Sequence, residues 1–142
     1  SVAPAAQVGL TNRFASGWSL ATSAADPNFV AMVVTDHRFT NGPGIFAGQS
    51  ADAGRTWTQF LSIGSDQNNT PDELRFGELV VSATDTRRMV WLPRYGKQIL
   101  RHTADGGRTW QDASVALDDW NAFFFGNRRR LAADTVAPDT FY

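Results

Sequence analysis

The sequence predicts an all-β fold built from repeated four-stranded antiparallel sheets, and three observations carry that prediction. First, one phrase occurs twice: Ser50-Ala-Asp52-Ala-Gly54-Arg-Thr56-Trp57 and Thr103-Ala-Asp105-Gly-Gly107-Arg-Thr109-Trp110, 53 residues apart from Asp52 to Asp105. Second, three segments share a plan of small-residue strand, Asp-led turn and second strand. They centre on Asp26, Asp85 and Asp134. Third, each copy of the phrase lies between strand-like runs rich in β-branched and aromatic residues. A period near 50 residues with four strands per unit is the signature of β-propeller blades.

In the first unit, strands are expected at Gly17–Ser23, Phe29–Val34, Gly44–Gln49 and Thr56–Ser62. The first pair turns at Asp26-Pro27-Asn28, where an Asp side chain bonds backbone amides two residues on and Pro or Asn favours the bend. In the second unit, strands are expected at Glu78–Ala83, Met89–Leu92, Gln98–His102 and Thr109–Ala113, with Trp91 in a buried strand. The third unit, 129–142, holds one strand, the Asp134 turn and a second strand. The blade units are therefore 17–62, 78–113 and an incomplete 129–142, within one partial propeller region 1–142. Dividing the chain by its period gives about 2.7 blades, against the roughly four to eight that close a propeller. A piece of a longer protein is the expectation, with a ring of several chains as the alternative. The first unit's two–three loop is the longer, with six extra residues in 35–44.

Composition narrows the partners. The 142 residues are 42% hydrophobic, which argues against disorder, and the net charge is −1. No basic field exists to draw nucleic acid or anionic lipid, and no apolar run reaches the roughly 20 residues of a membrane span. The run Arg128-Arg129-Arg130 reads as a solvated strand end. Cysteine is absent, which excludes disulfides and thiolate metal sites without fixing the compartment. His37 and His102 have no partner at ligand spacing, so neither a metal nor another cofactor is expected.

Within the repeated phrase, Asp accepts from the turn's own amides, Gly supplies a backbone conformation that a Cβ would obstruct, and Ser50 or Thr103 adds a hydroxyl. Trp57 and Trp110 open the next strand and bury a large ring. Ser50, Asp52, Gly54, Trp57, Thr103, Asp105, Gly107 and Trp110 are therefore expected to be structural rather than catalytic.

The phrase resembles the Asp-box, Ser/Thr-x-Asp-x-Gly-x-Thr-Trp, of bacterial-neuraminidase-type repeats. Between the boxes, Ser23-Ala-Ala-Asp26-Pro-Asn-Phe-Val30 and Leu131-Ala-Ala-Asp134-Thr-Val-Ala-Pro-Asp-Thr-Phe-Tyr142 are most similar to the recurring phrases of glycoside hydrolase family 74. That resemblance implies part of a xyloglucan- or β-glucan-cleaving propeller of the inverting class, secreted or extracellular. No counterpart of the family's two catalytic aspartate phrases occurs, so no catalytic residue is assigned and this chain alone is expected to be inactive. The alternatives are a non-enzymatic Asp-box propeller binding protein or carbohydrate, possible as a self-assembling ring, and a sialidase-like propeller. The last lacks an Arg-Ile-Pro phrase and a recognisable arginine triad.

The resemblance places ligands on the face opposite the Asp-box, in the two–three loops and inter-blade links. A polysaccharide or oligosaccharide is the expected partner, with the remaining blades. Sugar sites combine flat aromatic faces with carboxylates and amides for the hydroxyls. Phe39, Tyr95 and Trp120 suit the first role; Asp36, Asp118, Asp119 and Asn121 suit the second. Glycoside hydrolysis needs two carboxyls roughly 5–10 Å apart across the bond. The neighbouring Asp118 and Asp119 point apart, so at most one could serve.

Overall fold

The computed structural model describes residues 15–36, 44–58, 60–65, 77–93, 99–116 and 131–142. They form eight strands: β1 (Ala15–Ser23), β2 (Asp26–Asp36), β3 (Gly44–Ser50), β4 (Leu61–Ser65), β5 (Gly77–Val81), β6 (Met89–Pro93), β7 (Ile99–Thr103) and β8 (Gln111–Ala116). Among the described residues there is no helix. The strands pair as two antiparallel meanders, β1-β2-β3-β4 and β5-β6-β7-β8. The protein is all-β.

Side-chain alternation explains how the sheets meet. Successive residues of a strand point to opposite faces. On β2, Phe29, Ala31 and Val33 face the second sheet and join Ile45 and Ile63. Leu79 and Val81 of β5 and Met89 and Trp91 of β6 meet them from the other side. Trp91 and Ile45 are fully buried, and burying each such side chain contributes about 1.5–3 kcal/mol. The intervening residues Met32 and Val34 point the other way and cluster with Phe46, Phe60 and Trp57. On the second sheet, Val90 and Leu92 likewise point away from the first sheet, onto Leu131 and Phe141. Each sheet is thus apolar on both faces, as layers stacked in series must be.

The sheets meet chiefly through β1 and β5. Polar bonds pin the contact. The Ser19 hydroxyl accepts the Leu79 amide (2.9 Å), and Ser23 Oγ donates to the Ser82 carbonyl (2.5 Å). Residues 131–142 add a short hairpin. Ala132 and Tyr142 exchange backbone bonds, and Arg88 of the second sheet forms an ion pair with Asp139.

The fourth strands begin later than the sequence suggests: Leu61 rather than Thr56, and Gln111 rather than Thr109. In the first sheet, turn bonding holds residues 51–58 out of the ladder; Thr58 N donates to Gln49 O (2.8 Å) and closes the loop. Phe60 then lies over Gly48. A Cβ at Gly48 would sit 2.5 Å from the Phe60 ring, so the missing side chain is what admits the ring.

Candidate functional site

The two copies of the repeated phrase form hairpins with matching chemistry. In the first, Ser50 Oγ accepts from Asp52 N (3.2 Å) and Gly54 N (2.8 Å) and donates to Asp52 Oδ1 (2.7 Å). In the second, Thr103 Oγ1 accepts from Asp105 N (3.3 Å) and Gly107 N (3.0 Å) and donates to Asp105 Oδ1 (2.8 Å). Thr56 gives Asp52 both its amide (2.8 Å) and its hydroxyl (2.7 Å); Thr109 gives Asp105 the same pair (3.0 and 2.6 Å). Gly54 and Gly107 take φ of 84° and 80°, a region that L side chains rarely enter.

Each hairpin tip docks on the one–two turn of its own sheet. Ala53 N donates to Asn28 O (2.8 Å), and Gly106 N donates to Arg87 O (2.9 Å). The turns match as well. Asp26 Oδ1 accepts from Asn28 N (2.8 Å), Asp85 Oδ1 from Arg87 N (3.0 Å) and Asp134 Oδ1 from Val136 N (2.7 Å). One edge of the molecule thus carries three aspartate turns and two hairpins, and Gln49 Nε2 links the hairpins by donating to Gly106 O (2.8 Å).

These bonds fix the electrostatics. Bonds from the Thr56 amide and hydroxyl, with Ser50 assisting, lower Asp52 to about 2. The Thr109 hydroxyl and amide, then Thr103 and the Arg108 amide, lower Asp105 to about 2. The Arg87 guanidinium, then its amide, lower Asp85 to about 2. The Ala137 and Val136 amides, with the Tyr142 hydroxyl, lower Asp134. Carboxylates so held stay ionised at neutral pH and spend their lone pairs on their own turn. General acid catalysis needs the opposite tuning.

The structure gathers Ser50, Asp52, Gly54 and Trp57 in one hairpin and Thr103, Asp105, Gly107 and Trp110 in the other. Asp36 closes β2, its backbone paired with Ala15 and Gly44. Phe39, Tyr95, Asp118, Asp119, Trp120 and Asn121 lie outside the described residues. Among the described residues, no three His, Asp or Glu gather as a metal site would require.

One feature was not read from the sequence. Arg101 of β7 is buried on the face toward the first sheet, 5.9 Å above the Trp91 ring. Its Nε meets Asp112 Oδ1 at 3.1 Å and its Nη1 has no partner. The available signal was register: Trp91, Arg101 and Asp112 stand side by side on β6, β7 and β8.

No protein-family model matches the sequence, and no curated protein matches it.

Proposed function

We propose that this chain is a stretch of about 2.7 blades from an Asp-box β-propeller of the family 74 type, supplying walls of a β-glucan cleft without the catalytic pair. One observation supports this reading above the others. The same hairpin, with the same hydroxyl–carboxylate–amide set, docks on the same turn carbonyl in two sheets stacked face to face. Closest contact between the first strands β1 and β5 fits sheets arranged around an axis with those strands innermost. The hairpin edge is then a scaffold, and glucan falls to the opposite loops, where Asp36, Phe39, Tyr95, Asp118, Asp119, Trp120 and Asn121 belong.

The test is calorimetric titration of the chain with a xyloglucan oligosaccharide, alongside Trp120→Ala. Saturable binding that weakens at least about fivefold in the variant supports the reading, since an aromatic face under a sugar is a dominant contact. No binding by the chain, together with no reducing-end release from xyloglucan by the longer parent protein, overturns it in favour of a non-enzymatic propeller.

A further inference from the structure

The two faces of the second sheet are held by different chemistry. Against the first sheet lies a large apolar core that includes Phe29, Ile45, Ile63, Leu79 and Trp91, all buried. On the other face the hairpin 131–142 is attached through a smaller cluster. There Val90, Leu92 and Leu131 are the buried members among the described residues, with Phe141 packed beside them. Among the described residues, no backbone bond joins this hairpin to the second sheet. Its backbone bonds are its own: Ala132 with Tyr142 in both directions, Asp134 N to Thr140 O, and Thr140 N to Ala137 O. The Tyr142 hydroxyl also donates inside the hairpin, to Asp134 Oδ2 (2.8 Å).

Beyond that cluster, the described tie between hairpin and sheet is an ion pair between Arg88 Nη1 and Asp139. Arg88 Nε also stands 3.5 Å from Asp85 Oδ2, but Asp85 is committed elsewhere. It takes Arg87 Nε (3.0 Å), Arg87 Nη2 (2.9 Å) and the Arg87 amide (3.0 Å). Asp139 is therefore the carboxylate that answers Arg88. The repeat makes this pair informative. Arg88 follows its turn aspartate, Asp85, by three residues, as Phe29 follows Asp26. Phe29 is buried in the core between the two sheets. The same place is thus apolar at the first seam and ionic at the second. Asp139 is 60% exposed, so salt screens its pair, whereas a buried ring has no charge to screen.

We propose that residues 131–142 form a strap that leaves the second sheet as one unit, with the Arg88–Asp139 pair as a salt-sensitive latch. Opening uncovers Val90 and Leu92. A two-stranded hairpin is marginal by itself in water, so the strap loses its own bonds as it leaves. Segments held by few buried apolar side chains open well before the core does. The strap is independent of what the opposite loops bind and stands or falls without the glucan reading.

The experiment is amide hydrogen exchange of the ¹⁵N-labelled full chain, read by NMR at Ala132, Asp134, Thr140 and Tyr142. Ala31 and Val33 of β2, a strand paired on both sides, serve as reference. The hairpin amides should share one opening constant and exchange at least about a hundredfold faster than the reference, corrected for intrinsic rates. Asp139→Asn, at an exposed side chain, should speed the hairpin amides about threefold and leave the reference unchanged. In about 1 M sodium chloride, where the screening length is about 3 Å, the parent should speed up similarly and Asp139→Asn should not respond. Unrelated opening constants among the hairpin amides mean fraying and overturn the unit. Hairpin protection equal to that of β2 overturns the strap. Parent-like exchange in Asp139→Asn, or an equal salt response in both proteins, overturns the latch.

Discussion

Thr103→Val tests whether the hairpin hydroxyl organises the turn. Valine keeps the shape of threonine, so the variant removes bonds without opening a cavity. Thr103 is 5% exposed, so water does not replace what is lost. The half-buried Gly107 amide loses its 3.0 Å acceptor, at a cost of about 1–2 kcal/mol. The Asp105 amide loses a longer, weaker 3.3 Å bond, worth about 0.5 kcal/mol. Asp105 itself keeps its donors from Thr109 and Arg108 and faces solvent, so its lost bond adds little. The expected loss is about 2 kcal/mol. In urea, with a slope of about 2 kcal/mol per molar, the unfolding midpoint read by tryptophan fluorescence falls by about 1 M. Ser50→Ala removes the same set from the first hairpin and should fall by a similar amount. A loss below about 0.5 kcal/mol in either variant, at unchanged slope, would refute the reasoning, because two amides would then have lost their acceptor at no net cost.

Acid should unfold the protein through its turns. Asp52, Asp85 and Asp105 sit at about 2 when folded, below the ordinary 3.8. Their contribution is therefore complete above the unfolded value and lost as pH falls toward 2. The urea midpoint should be flat from about pH 7 to pH 5 and decline from about pH 4 downward, less steeply in Asp105→Asn; a flat profile down to about pH 2.5 contradicts this. Gly48→Ala should destabilise by about 1–3 kcal/mol, since a Cβ there overlaps the Phe60 ring, and Phe60→Leu should recover part of the loss. Equal stability of Gly48→Ala and the parent in the same denaturation would show that Phe60 does not lie where described.

The turns were legible in the sequence because their chemistry is stringent. Asp52 and Asp105 must reach amides three to four residues on, and Asp26, Asp85 and Asp134 must reach amides two residues on. Few side chains have an acceptor at that distance, so the letters recur. The start of the fourth strand was misread because Trp57 and Phe60 carry high β-propensity, while the bonding of Thr58 to Gln49 holds that segment outside the ladder. Arg101 was missed because an arginine in an alternating strand reads as a solvent-facing residue. Its burial depends on Trp91 and Asp112, which approach it from two other strands.

The sheet faces hide the repeat for the converse reason. The hairpins align Gly48 with Arg101 and Phe60 with Ala113, and the Asp turns align Met32 with Trp91. The pairing agrees: Met32 stands opposite Gly48, and Trp91 opposite Arg101. In the first sheet the large ring comes from β4's approach, where Phe60 covers Gly48 beside Met32. In the second it comes from β6, where Trp91 supplies the ring, Arg101 lies over it, and Ala113 in the place of Phe60 brings no ring of its own. Packing constrains the total volume of a layer, not which strand provides it. Three aligned positions can therefore change together from Met, Gly and Phe to Trp, Arg and Ala while the layer stays filled. A backbone amide in a turn has no such freedom, which is why two units so unlike on their faces share eight nearly identical residues at one edge.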